Sequence, residues 1–279
     1  MQFVSVEKPI IELLNISGKF LKNVSFTALG ITCVLGEWGN DKEELSKILT
    51  FDEKPKGGKV TYYSENPKKY IRLIPRERID SELKVYEILR LYEKRFGKSN
   101  DFWNSFFEIP KDRKVKELSE YEKFKLELLQ IFYGKTKFII AEDFTETFEE
   151  QLKGKAVKTL VKTARIINST LVLFLGSSEF NDVCERRIVI YGGEVIEESE
   201  KDNELYHPYS VLLSKARLTI GKRLERINID FVSDPAKSGC PFHPYCGKSY
   251  DKRIRKMCIT ENPPFFTVNG NRVRCWYFS

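Results

Sequence analysis

The chain has 279 residues, 41% of them hydrophobic and 31% charged, with a net charge of +7. That balance excludes a disordered chain and leaves enough length for one large core or two small ones. The lysines are spread rather than clustered, so no nucleic-acid surface is expected. No apolar run nears the about 18 residues of a membrane span, and the first residues do not form a secretion leader.

Short apolar segments open the chain, at 10–14, 24–26 and 31–35, with turns at Gly18 and Gly30. They read as strands. The run Ile31–Leu35 leads into Gly36-Glu37-Trp38-Gly39-Asn40-Asp41-Lys42-Glu43, and a helix is predicted from Asp41 to about Thr50. Strand, glycine loop, lysine and helix make the layout of a phosphate-binding loop, G-x-x-x-x-G-K-[ST]. Gly36, Gly39 and Lys42 stand in place, but Asp41 replaces the second glycine and Glu43 the hydroxyl residue. Asp41 adds bulk and negative charge where amides would wrap a phosphate. Glu43 removes the Mg²⁺-holding hydroxyl and adds another negative charge. An ordinary strand-to-helix turn carries the same spacing, so the loop alone decides nothing.

Strands are expected at 57–63 and 70–74. Between 80 and 135 the apolar spacing turns helical, at Val85, Ile88, Leu89 and Tyr92 and again at Leu126, Leu129 and Phe132. Phe102, Trp103, Phe106 and Phe107 lie between these runs and are read as core packing. Further strands are expected at 138–141 and 171–175 around a helix at 156–167, then a hairpin at 187–191 and 193–196. This alternation indicates an α/β fold with a parallel sheet. The strand at 138–141 ends in Glu142-Asp143, where ligands bind such sheets. Two acids there suit the ordering of Mg²⁺ and an attacking water, and they equally suit a solvated strand end.

After about residue 200 the periodicity stops, and Pro, Gly, Cys and aromatic residues dominate, a composition expected to need a staple. The six cysteines are expected to be reduced or metal-bound rather than disulfide-paired. Cys33 and Cys184 fall in strand-like runs; Cys240, Cys246, Cys258 and Cys275 crowd the tail without the paired knuckles of zinc ribbons. Four irregularly spaced thiolates suit a [4Fe–4S] cluster. Zinc, two disulfides and free thiols are the alternatives.

The order of these features resembles the ATP-binding cassette subunits of ABC transporters. That order is a phosphate-type loop, a helical insertion, Leu118-Ser119-Glu120, a strand ending in acids, and a Tyr-Gly-Gly-Glu-Val hairpin. Tyr206-His207-Pro208-Tyr209 and Gly239-Cys240-Pro241-Phe242-His243-Pro244-Tyr245-Cys246 resemble the C-terminal region of the oligopeptide/dipeptide importer subfamily. The resemblance implies an α/β, P-loop NTPase-like ABC ATPase core at 1–200 with a helical insertion at about 76–135. It also implies a small cysteine-rich extension at 201–279, with a [4Fe–4S] cluster on Cys240, Cys246, Cys258 and Cys275.

Five stations depart from the family pattern. They are the loop at Asp41 and Glu43, the glutamine position near Leu73, the signature loop where only Leu118 and Ser119 survive before Glu120, the acids Glu142 and Asp143 in exchanged order, and the switch histidine position at Ser177. The resemblance therefore implies a degenerate cassette with weak or absent ATP and Mg²⁺ binding at its own site. It would pair with a second, intact ABC ATPase subunit, under two membrane-spanning permease subunits fed by an extracytoplasmic solute-binding protein. Its place would be the cytoplasmic face of the membrane, and its cargo oligopeptides or oligosaccharides. An active ATP-hydrolysing subunit using Lys42, Glu142 and Asp143 is one alternative, separated by an ATPase assay. A stand-alone Fe–S regulatory protein is the other, separated by co-purification without any permease.

Overall fold

A computed structural model describes residues 9–98, 107–134, 136–176, 179–215 and 235–279. Strands β1 (Ile10–Ser17), β2 (Val24–Leu29) and β4 (Gly57–Tyr62) form a three-stranded antiparallel sheet in the order β2-β1-β4. Strand β3 (Ile31–Leu35) enters the main sheet with β5 (Ile71–Ile74), β6 (Phe138–Ala141), β7 (Thr170–Leu175), β8 (Arg186–Tyr191), β9 (Glu194–Glu200), β10 (Phe266–Val268) and β11 (Asn271–Val273). Its eight strands run β10-β11-β9-β8-β3-β7-β6-β5. The stretch from β8 to β5 is parallel and the β9-β11-β10 end antiparallel.

The central strands are apolar without interruption because both faces are covered. Alternate residues feed two cores. Ile31, Cys33, Leu35, Ile139, Ala141, Leu171, Leu173 and Leu175 face the helices of the insertion and the tail. Val34, Phe138, Ile140, Val172 and Phe174 face α1 (Asn40–Leu49) and the small sheet. The insertion packs α3 (Val85–Phe96) against α4 (Glu120–Phe132), and α5 (Glu150–Ile166) returns the chain to β7. Helix α5 begins before the predicted 156 because its first turn is polar and gives no apolar period. A short helix α2 (Pro67–Tyr70) precedes β5. Of the aromatic cluster, Phe107 is buried beside Phe132; Phe102, Trp103 and Phe106 lie outside the described residues.

The segment leaving β5 is tied to the insertion by a buried ion pair between Arg78 and Glu127. The Arg78 guanidinium also lies 5.4 to 5.7 Å from the rings of Phe124, Phe144 and Phe148. Burial raises Glu127 to about 7 against the attraction of Arg78.

Two expectations change. Cys33 and Cys184 are both fully buried and form a disulfide between β3 and the residues before β8, so these two of the six cysteines are neither reduced nor metal-bound. Their Cα atoms lie 5.6 Å apart, within bridging range. The tail, in turn, does not rely on a staple alone, because β11 extends the main sheet on β9. Three buried glutamates of β9 hold it. Glu197 accepts from the amides of Tyr206 and His207 and from Asn271, Glu194 pairs with Arg274, and Glu198 with Arg272. The tail also carries α6 (Pro208–Lys215) and α7 (Arg255–Thr260). Among the described residues, no helix is long and apolar enough to cross a membrane.

Candidate functional site

Strand β3 delivers Gly36 to the loop with φ +133°, where a Cβ would come within 2.5 Å of the Ile190 carbonyl oxygen. A side chain is thus excluded by both backbone angle and space. Lys42 curls back over this glycine. Its Nζ lies 3.1 Å from where that Cβ would stand, and the side chain is 3% exposed. Burial lowers the Lys42 pKa, and the charge of Asp41 opposes that shift.

Asp41 closes the loop. Its Oδ1 accepts from the Lys42 amide at 2.8 Å and lies 3.5 Å from the Lys42 ammonium. Its Oδ2 accepts from the Gly193 amide at 3.2 Å. Main-chain amides and a lysine at a helix start are the donors a phosphate would use. Here a carboxylate of the same loop takes them. Gly39 is the residue before α1 and has no side chain to cap it, while its carbonyl accepts from the amides of Lys42 and Glu43. The Glu43 side chain turns outward, half-exposed, to Lys47 at 2.5 Å.

The acids at the end of β6 are also held internally. Glu142 accepts from Ser46 Oγ at 2.9 Å and from the Arg76 amide at 2.9 Å. Asp143, 2% exposed, accepts from the Gly176 amide at 2.5 Å and from Thr145 Oγ1 at 2.9 Å. Ser46 was missed by the sequence reading. It lies three residues beyond Glu43, one helical turn deeper in α1, and the longer glutamate reaches it. Its signal was a hydroxyl on the apolar face of the helix. Ser177 lies outside the described residues.

Leu73 is inside β5, its carbonyl accepting from Gln130 Nε2 at 2.7 Å; the residue at the exit of this strand beside Glu142 is Arg76. Leu118 is buried, and Ser119 caps α4. The Ser119 hydroxyl donates to Glu122 at 2.8 Å and accepts the Glu122 amide, a closed capping box. Glu120 pairs with Lys123 at 3.2 Å.

Two cavities flank these residues. One of about 460 Å³ lies against the loop, walled by Phe20, Trp38, Lys42, Tyr191 and Tyr209. Its outer wall, the turn between β1 and β2, is clamped by Glu44, which accepts from the amides of Lys19, Phe20 and Leu21. The other, about 500 Å³, separates the core from the insertion and is lined by Leu73, Pro75, Ile79, Tyr92 and Phe96.

In the tail, Cys240, Cys246, Cys258 and Cys275 are all buried and free. Burial pushes Cys240 and Cys275 up to about 12, and the nearby thiols act in the same direction. Cys240 feels each of the other three, Cys275 feels Cys246 and Cys258, and Cys258 feels Cys246. Backbone amides of Phe242, Lys248, Ser249 and Tyr277 donate to these sulfurs and oppose, without overcoming, the effect of burial. Among the described residues, no three or more His, Cys, Asp or Glu side chains form a group that could hold a metal ion. Four buried cysteines with amide donors to sulfur are nevertheless the residue types that hold an iron–sulfur cluster.

The molecule has the fold of an ABC ATPase cassette, a P-loop NTPase architecture. It is similar to the ATP-binding subunit of an ABC transporter, with TM-score 0.57 and 15% identity over 68% of this chain and 90% of that one. It is also similar to a dimeric bacterial ABC transporter cassette, with TM-score 0.58 and 16% identity over 70% of this chain and 100% of that one. A third similar structure is cbiO1 from Clostridium perfringens, part of the cbiONQ ABC transporter complex, with TM-score 0.59 and 16% identity over 70% and 90% of the two chains. At the level of sequence, the chain is 28% identical over 123 residues to the oligopeptide transport ATP-binding protein OppF of Mycoplasma pneumoniae. That match spans 42% of this chain and 14% of that protein. No family model matches the chain.

Proposed function

We propose that this chain is a nucleotide-binding-type subunit of an ABC importer for oligopeptides or oligosaccharides, with its own hydrolytic site closed. The observation that carries the reading is the Asp41 carboxylate, held by the Lys42 amide and ammonium and by the Gly193 amide where a phosphate would bind. The Ser119 cap and the internal bonds of Asp143 support it, since both groups are already engaged within the chain. Asp143 is also a methylene shorter than the glutamate expected there, a difference large enough to misplace a base. The subunit acts as the structural and allosteric partner of an intact ATPase subunit, at the cytoplasmic face of the membrane. It docks on one of two permease subunits through the cleft lined by Leu73, Pro75 and Ile79, and an extracytoplasmic solute-binding protein delivers the cargo.

Cys240, Cys246, Cys258 and Cys275 would hold a [4Fe–4S] cluster. When bound, the cluster supplies iron–sulfur bonds that join the two ends of the tail. The chain's own residues bury the sulfurs and direct amides at them.

Mg·ATP titration of the isolated protein, read by the fluorescence of Trp38 in the loop, tests the closed site. Millimolar or absent affinity is expected, and tight binding with turnover overturns the reading. For the tail, anaerobic purification followed by absorbance and elemental analysis is expected to give a brown, iron-containing protein. A colourless protein holding zinc rejects the cluster.

A further inference from the structure

Two routes of direct contact join the tail cysteines to the phosphate loop, and both begin at Cys240. Cys240 Sγ lies 3.9 Å from His207 Nε2. His207 Nδ1 accepts from the Tyr209 amide at 3.1 Å, so this nitrogen carries no proton. The single ring proton therefore sits on Nε2 and points at the sulfur. Two residues on, the Tyr209 hydroxyl accepts from the Glu37 amide at 3.3 Å. The Tyr209 ring packs between Tyr191 at 4.5 Å and, edge-on, Phe242 at 5.5 Å, so the hydroxyl has little freedom of its own. The other route runs through Pro241, which packs on Gly192; a Cβ on that glycine would meet the Pro241 ring at 3.1 Å. The next residue, Gly193, donates its amide to Asp41.

We infer that residues 207–209 couple occupancy of the four-thiol site to the order of the phosphate loop. His207 is the positioning residue at the sulfur end and Tyr209 the contact at the loop end. The inference rests on the reading above that the thiols hold iron. With the cluster in place, Cys240 is fixed, His207 is aligned by its bond to the sulfur, and the Tyr209 hydroxyl is presented to Glu37. Loss of iron frees Cys240, and the loop loses its support from the tail.

The test measures residue-level amide exchange in the full chain, as purified and after iron is stripped with ferricyanide and EDTA. Stripping is expected to speed exchange of the Glu37 and Lys42 amides about tenfold. Tyr209→Phe keeps the ring stack and removes only the acceptor. In that variant the Glu37 amide exchanges quickly from the start and responds less than about twofold to stripping, while Lys42 still responds through Gly193. His207→Gln, which retains an N–H donor, keeps the wild-type response, and His207→Leu loses it. Iron present with Glu37 exchange unmoved by its removal overturns the coupling alone. A protein that holds no iron, as purified or after reconstitution with iron and sulfide, overturns the cluster reading and the coupling with it.

Discussion

In the phosphate loop, Lys42 and Asp41 neutralise each other and the hairpin amide completes the set. In the tail, four cysteines are buried and free. The first region has the placement of a binding site with its donors already taken. The second, over its described residues, leans on strand β9 of the core and three of its glutamates, and buries its cysteines. The difference teaches that a frame of strand, loop and helix and the side chains set in it are decided by separate contacts. Gly36 is demanded by its backbone angle and by the Ile190 carbonyl oxygen, while Gly39 has room for a side chain.

If the two regions stand by separate means, damage to the core should spare the tail. The largest effect is expected from opening the Cys33–Cys184 bridge, which closes a sequence separation of 151 residues. A Cys33→Ser, Cys184→Ser variant should lose about 5 kcal/mol in denaturant unfolding. Its tail iron content should stay unchanged. Iron lost in parallel with core stability would show that the regions are one unit.

Next is the buried hub under the insertion. Arg78→Met leaves Glu127 without its charge partner and should cost about 3–5 kcal/mol. The hub also has a pH signature. Burial raises Glu127 from the ordinary 4.5 to about 7, so the folded state binds this proton more tightly than the unfolded state. Its contribution to stability is complete below pH 4.5 and is lost as pH rises through about 7. Glu127→Gln should remove that decline from the unfolding profile while lowering stability overall. A variant with the same slope as the wild type would place the titration elsewhere.

How much of this was legible follows from what each segment buries. Ile31–Leu35 and Phe138–Ala141 were readable to the residue because strands covered on both faces leave uninterrupted apolar runs. The strand spacing located the loop, and Asp41 stood out as a charge where glycine was expected. That its carboxylate turns inward to Gly193 was not readable, because the hairpin lies 152 positions away. Ser46 was hidden for the same reason, its partner Glu142 lying 96 positions on. Strands β10 and β11 have three residues each, too few to show a period. Their pairing depends on β9, whose buried glutamates look solvated in sequence.

The sharpest test of the comparison is Asp41→Gly. It removes the internal anion and restores the smallest residue in front of Lys42, so the loop's donors become free. Mg·ATP affinity should rise at least about tenfold, worth about 1.4 kcal/mol. Asp41→Asn, which removes the charge and keeps the bulk, should gain less. No change in either variant would mean that something other than this carboxylate closes the site.

The smallest effect is expected at Ser119, where the two regions give opposite forecasts. If its hydroxyl is a helix cap and nothing more, Ser119→Ala should cost about 1 kcal/mol of stability. It should leave nucleotide affinity and tail iron unchanged, since both oxygen contacts go to Glu122 within the same turn. Glu122→Ala removes the other half of the capping box, so the pair should be non-additive in a double-mutant cycle. A Ser119→Ala variant that keeps its stability but weakens nucleotide turnover when combined with an intact cassette subunit would show that this hydroxyl reaches across to the partner. The closed-loop region would then be the exception in this chain rather than the pattern for all of its altered stations.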